Sequence, residues 1–105
     1  MDYLPEIYQE FKQHFSEVAK AYDALAVSCH QWGPLDEKTQ RLAKLGIAIG
    51  LSSEGGVRSH ARRALAEGVS PEELRHAVLM ALTTAGFPTM IAAMKWVEEV
   101  IKKSA

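Results

Sequence analysis

Apolar residues return every three or four positions along most of this chain, the spacing of helices that each bury one stripe. In the N-terminal third, Ile7, Tyr8, Phe11 and Phe15 follow that period, and Val18, Ala21, Tyr22, Leu25 and Cys29 continue it. Pro5 suits the first turn of a helix, where the amide hydrogen it lacks would have no intrahelical partner. The stripe reads as one helix, or as two broken near Ser16, ending by Trp32 ahead of Gly33-Pro34. Tyr3, Tyr8, Phe11 and Phe15 are read as core or subunit contact rather than as a cofactor box. Asp36 can cap the next helix, in which Leu42, Leu45 and Ile49 are joined by the small Ala43, Gly46, Ala48 and Gly50. That helix is apolar on more than one side and is expected to be central.

Ser53 caps a further helix that runs to about Glu67 and is stopped by Gly68, with Glu54 at the positive end of its dipole. Ser70-Pro71-Glu72-Glu73 is the strongest local signal, a capping box with proline at the first helical position. Leu74, Ala77, Val78, Ala81, Leu82 and Ala85 predict the buried stripe of that helix, up to Gly86-Phe87-Pro88. Met90, Ile91, Met94, Val97 and Ile101 predict the last helix, with Met80, Met90 and Met94 filling the core. No strand pattern appears. The expected fold is an all-α helical bundle of about five to six helices.

A chain of 105 residues fits a single domain, 1-105, with 1-32 as an N-terminal helical region. A net charge of -1 gives no field to attract nucleic acid or an anionic membrane. No apolar run reaches the roughly 20 residues that span a bilayer. Met1-Asp2-Tyr3-Leu4-Pro5-Glu6 lacks the layout of a signal peptide, so the expected location is cytoplasmic. The single cysteine, Cys29, excludes an intramolecular disulfide and a cysteine-rich zinc site. So many apolar and aromatic positions in so short a chain predict a homo-oligomer.

Candidate chemistry gathers after the central helix. Residues 53, 56, 57, 60 and 64 share one helical face. Gly55 and Gly56 each cost a helix interior roughly 1 kcal/mol relative to alanine, so something approaches the backbone there. Either another helix or a small ligand would serve. His60, near the helix start, can stay neutral near pH 7 and act as a general acid or base. Its plain alternative is a histidine satisfied by a helix-to-helix hydrogen bond. Glu54 could orient a bound group or simply pair with Arg58 at i+4. Arg58, Arg62 and Arg63 could hold a substrate carboxylate or form a solvated face. Ser53 and Gly56 line the same turn, Ser53 first as a cap. A metal site from Cys29, His30 and His60 matches no recognised spacing, and no metal is assigned. His14 and His76 read as surface or interface residues.

Four segments in order resemble the carboxymuconolactone decarboxylase family, which also contains the alkylhydroperoxidase D-like proteins. They are Leu35-Asp36-Glu37-Lys38-Thr39, Ser59-His60-Ala61-Arg62-Arg63-Ala64-Leu65, Gly68-Val69-Ser70-Pro71-Glu72-Glu73-Leu74 and Ala85-Gly86-Phe87-Pro88. The resemblance makes 33-101 the family core and implies a helical ring, commonly a hexamer built as a trimer of dimers. Redox members of the family carry Cys-x-x-Cys, three residues, then histidine. Here those cysteine positions are Ser53 and Gly56, and the glutamate of the preceding helix falls at Arg41. Without a thiolate there is no peroxide nucleophile and no dithiol to cycle. The decarboxylase branch keeps a histidine at the His60 position but has glutamate at Gly56. The stretch Glu54-Gly55-Gly56-Val57-Arg58-Ser59-His60 looks like its own subgroup, for which the resemblance implies no particular reaction. The leading reading is a carboxymuconolactone decarboxylase-like lyase acting on a small organic acid or lactone without an organic cofactor. In that reading His60 moves the proton, Glu54 orients it, and Arg58 or Arg62 neutralises a carboxylate. A non-catalytic helical oligomer or ligand-binding module is the rival reading.

Overall fold

The computed structural model describes residues 5–105, which form six α-helices and one short 3-10 turn, with no strand among them. The chain divides into two compact units, Met1–Pro34 and Leu35–Ala105. The first is a helical pair, α1 (Glu6–His14) and α2 (Ser16–Gln31). The break falls at Phe15, whose extended-side backbone (φ -119°, ψ 55°) leaves helical geometry for one residue. Phe11 and Phe15 stack with ring centroids 5.5 Å apart, and the His14 ring meets Phe15 edge-on. Ala19 is the buried residue of α2, whereas Ile7, Phe11, Phe15, Val18, Tyr22 and Leu25 are all exposed in the single chain. Their stripe is helical, and among the described residues it stays exposed. Tyr3 lies outside the described residues.

The second unit holds α3 (Glu37–Gly50), α4 (Glu54–Ala66), α5 (Pro71–Leu79), the 3-10 turn Met80–Leu82 and α6 (Phe87–Ser104). Its core joins Leu45, Ala48 and Ile49 of α3 to Val57, Ala61 and Ala64 of α4. Leu74 and Val78 of α5 and Met90, Ala93, Val97 and Val100 of α6 close it. Local signals act as read at most joints. The Asp36 carboxylate accepts from the Thr39 amide, and the Ser70 box is complete in both directions. Gly68, at φ +97°, ends α4 in a Schellman turn: the Val69 amide donates to Ala64 and the Gly68 amide to Leu65. Val69 is buried beneath it.

Four expectations need correction. Helix α5 stops at Leu79 rather than near Ala85, and its last residues pass into the 3-10 turn. Leu82 and Ala85 are consequently exposed. Met80 is 54% exposed and fills no core, unlike Met90. Ile91 is exposed too, because α6 buries the face carrying Met90, Ala93, Val97 and Val100. Gly86-Phe87-Pro88, read as the end of one helix, instead starts the next. Gly86 takes φ +103° and Pro88 sits in the first turn of α6.

The α3–α4 joint positions everything that follows. Helix α3 also ends in a Schellman turn, with the Ser53 amide donating to Ala48 and the Ser52 amide to Ile49. Here Ser52, not a glycine, takes the left-handed conformation (φ 53°). Ser53 then serves at once as the closing residue of α3 and the N-cap of α4, its Oγ accepting from the Gly56 amide. So short a link brings the helices into close contact. A Cβ on Gly56 would lie 3.2 Å from the Ala48 Cβ and 2.9 Å from the Ser53 Oγ, whereas Gly55 faces open space. A neighbouring helix, therefore, is what approaches the Gly56 backbone.

The two glycines should respond in opposite ways. Gly55→Ala should raise unfolding stability by up to about 1 kcal/mol through helix propensity. Gly56→Ala should fall below Gly55→Ala by about 1 kcal/mol or more, because Ala48 or the Ser53 cap must give way. Urea denaturation of the two variants checks this, and equal midpoints would contradict the packing role.

Candidate functional site

Arg41 is the buried charged residue of the described chain, 9% exposed, on the face of α3 that also carries Leu45 and Ala48. A guanidinium taken out of water needs acceptors for its N–H groups, and a charged partner above all. Glu67, the C-cap residue of α4, supplies both carboxylate oxygens. Arg41 Nε donates to Oε1 at 3.0 Å and Nη2 donates to Oε2 at 2.8 Å. This parallel two-bond geometry is the strong form of the pair. The remaining Nη1 donates to Nδ1 of His60 at 2.9 Å. His60 and Glu67 are seven residues apart on α4, two helical turns, so both face the same neighbour. One arginine on α3 thus holds two points on one face of α4.

The imidazole is half-buried, and its pKa is lowered from 6.5 to about 4. Desolvation is the largest cause. The positive charges of Arg41, Arg63 and Lys44 add to it, and only Glu67 opposes them. His60 is accordingly neutral at pH 7. The sequence-derived candidates divide around it. Glu54 is paired with Arg58, whose Nε donates to Oε2 at 3.0 Å, while Arg58 Nη2 donates to Glu99 of α6 at 2.6 Å. The hydrogen bond to the imidazole comes from Arg41. Arg62 is half-buried on α4, Ser53 caps that helix, and Gly56 packs on Ala48. Cys29 and His30 belong to the first unit, where Cys29 is exposed. His14 and His76 are exposed. Among the described residues no three His, Cys, Asp or Glu side chains gather closely enough to hold a metal ion. No described helix is long and apolar enough to cross a membrane.

Sequence reasoning noted Arg41 only as the place where other proteins carry glutamate, and it passed over Glu67. Glu67 sits beside the stop signal Gly68, where a charged residue looks like an ordinary exposed helix end. A usable signal was there: an arginine on the apolar-rich α3 and a carboxylate seven residues beyond the histidine.

The model of the carboxymuconolactone decarboxylase family matches residues 16–99. The chain is 32% identical over 82 residues to 4-carboxymuconolactone decarboxylase of Acinetobacter baylyi, an alignment covering 72% of this chain and 61% of that protein. Two uncharacterized proteins of Methanocaldococcus jannaschii are similar as well. One is 33% identical over 67 residues, covering 63% of this chain and 64% of its own length. The other is 27% identical over 100 residues, covering 94% of both. The first two alignments thus span less than two thirds of those relatives. In fold, the chain is similar to a carboxymuconolactone decarboxylase family protein from Legionella pneumophila. Their TM-score is 0.81 at 23% identity, over 93% of this chain and 88% of the other.

The depressed histidine pKa ties stability to pH. Between about 4 and 6.5 the unfolded chain binds a proton at His60 that the folded chain refuses, so this contribution is complete above pH 6.5 and is lost as pH falls toward 4. Urea denaturation from pH 7 to pH 4 should therefore show a steeper loss for the native protein than for His60→Gln, in which the titration is absent. Carboxylate contributions are common to both and cancel in the comparison. Parallel curves would contradict the assignment.

Proposed function

Since the chain belongs to the carboxymuconolactone decarboxylase family, we propose that it is a lyase of that type, acting on a small organic acid or lactone without an organic cofactor. The observation that supports this best is the neutral, half-buried His60 held by Arg41 inside the family domain. Loss of carbon dioxide beside a conjugated carbonyl breaks the bond to the carboxylate carbon. The electron pair moves into the conjugated system and leaves an enolate, and a proton from water then returns to carbon. The first stage needs stabilisation of a negative oxygen, the second a proton. In this reading His60 is the group that does that work. Arg41 takes over the orienting task that the residue pattern assigned to Glu54, since Glu54 is engaged by Arg58. Arg62 remains the candidate for a substrate carboxylate.

Disulfide cycling of peroxide has less support, because Ser53 and Gly56 stand at the cysteine positions and Cys29 has no second thiol in the chain. A non-catalytic helical oligomer or ligand-binding module is favoured by one specific observation. The Arg41–His60 bond runs between helices and could serve packing alone. Carbon dioxide release from 4-carboxymuconolactone by the purified protein separates the two readings. Turnover that drops about 100-fold or more in His60→Gln, with circular dichroism unchanged, is the expected result. Turnover indifferent to His60 would remove it from the chemistry.

Association is proposed on separate grounds, as a hexamer arranged as a trimer of dimers. Within residues 35–105, Ile47, Leu51, Met80, Phe87 and Ile91 are each 47–74% exposed, more large apolar surface than a small monomer ordinarily leaves to water. Light scattering at micromolar concentration should give a multiple of the chain mass. Ile47→Lys combined with Leu51→Lys should lower that mass without loss of helix. A native protein that is monomeric under these conditions would end the proposal.

A further inference from the structure

We propose that His60 serves as a neutral hydrogen-bond donor through Nε2, not as a base, and that Arg41 and Glu67 are the positioning pair that keeps its proton on that nitrogen. The inference rests on the lyase reading for its chemistry but on geometry for the state of the ring. A guanidinium has five N–H donors and no acceptor. With Arg41 Nη1 2.9 Å away, His60 Nδ1 can only accept. A neutral imidazole carries one proton, so that proton is on Nε2. For Nε2 to receive a proton from substrate it would first have to be bare. The ring proton would then move to Nδ1 and point at the arginine, donor against donor.

Arg41 has little freedom to relieve that conflict. Its side chain is 10% exposed, and turning away would break both bonds to the Glu67 carboxylate. Protonating the ring to the cation meets the same obstacle at Nδ1. It also faces the other charges acting on the imidazole: Arg41 and Lys44 from α3 and Arg63 from α4, against Glu67 alone. Every charged group so placed keeps the ring neutral except Glu67, and the Glu67 charge is shared with the arginine fork.

This state suits a decarboxylation better than a proton abstraction. When the carboxylate carbon departs, the electron pair it leaves passes to the carbonyl oxygen. A fixed N–H aimed at that oxygen stabilises the enolate with no reorganisation. No base is consumed, carbon dioxide carries off the carboxylate, and water supplies the proton that returns to carbon. The substrate class is narrowed accordingly to acids whose carboxylate is borne by the carbon adjacent to an electron-accepting carbonyl, or by the vinylogous carbon.

The ring state can be tested without any substrate. Two-bond proton–nitrogen NMR of the 15N-labelled protein, with His60 assigned by comparison with His60→Gln, should show at pH 7 a protonated Nε2 and an accepting Nδ1. Its titration midpoint should lie near 4, well below an ordinary histidine. Arg41→Met should release the tautomer to a mixture and move the midpoint toward 6.5. Glu67→Gln, which keeps shape but loosens the fork, should also release the tautomer to a mixture, while its midpoint stays low because the one charge that raises it is gone. It stands in for the tautomer readout if Arg41→Met does not fold. Oxalate, a planar dianion resembling an enolate, should shift the Nε2 proton resonance of the native protein. A proton on Nδ1, a tautomer unaffected by both variants, or an Nε2 proton indifferent to saturating oxalate would overturn the proposal. If the NMR results hold while no lactone is turned over, the lyase reading fails and the positioning of His60 stands.

Discussion

A buried guanidinium tolerates no half measures, and Arg41 sets that demand at the centre of the α3–α4 pair. Burying it costs several kcal/mol unless its donors are met by acceptors of matching geometry. The fold answers with a carboxylate fork from Glu67 and a ring nitrogen from His60, both on one face of α4. Those partners are within reach only because the two helices pack closely. That closeness rests in turn on a bare backbone at Gly56, a methyl at Ala48 and the three-residue link Leu51-Ser52-Ser53. A larger side chain at either packing position would push apart the helices that carry the polar cluster. Packing and candidate chemistry are therefore one arrangement here.

The same positions acquire different physics from their occupants. The redox pattern that the chain resembles would place thiols at 53 and 56 and a carboxylate at 41. Here Ser53 is a helix cap, Gly56 is a packing contact and residue 41 is a cation. A carboxylate at 41 would accept a hydrogen bond from the ring and favour its charged form. An arginine donates to the ring and disfavours that form. The exchange reverses the electrostatic setting of the histidine while leaving the helices in place. This is why the fold, although shared with relatives, does not by itself transfer a reaction.

Salt links fasten the rest of the second unit. Arg58 joins α4 to Glu99 of α6, Arg75 joins α5 to Glu98 of α6, and Lys38 joins α3 to Glu73 of α5. These pairs are partly exposed, so water screens them and each contributes little. The apolar core contributes far more. The links matter instead for where they put charge: Arg58 is committed to two carboxylates, which separates Glu54 from the histidine's surroundings. The large apolar side chains on the second face of α3 and near the start of α6 stay outside that core.

By itself the sequence determined the helical class, most helix starts and the stop at Gly68. Caps, a capping box and a helical period are local interactions that fit within one or two turns. It also singled out His60 and the oddity of the two glycines. Tertiary structure decided what met them. Only the packing of α3 on α4 separates Gly56, where an added Cβ would meet Ala48, from Gly55, where it would meet open space. The Arg41–His60–Glu67 cluster joins residues 19 and 26 positions apart, beyond any helical repeat, and no local rule connects them. The same limit explains the misread stretch near residue 82. Alanines and leucines there could continue a helix, but the turn into α6 ends it, and Met80 and Leu82 face outward. Local energetics select the elements. Which side chains meet across them is decided by burial, whose cost and benefit exist only once the helices are assembled.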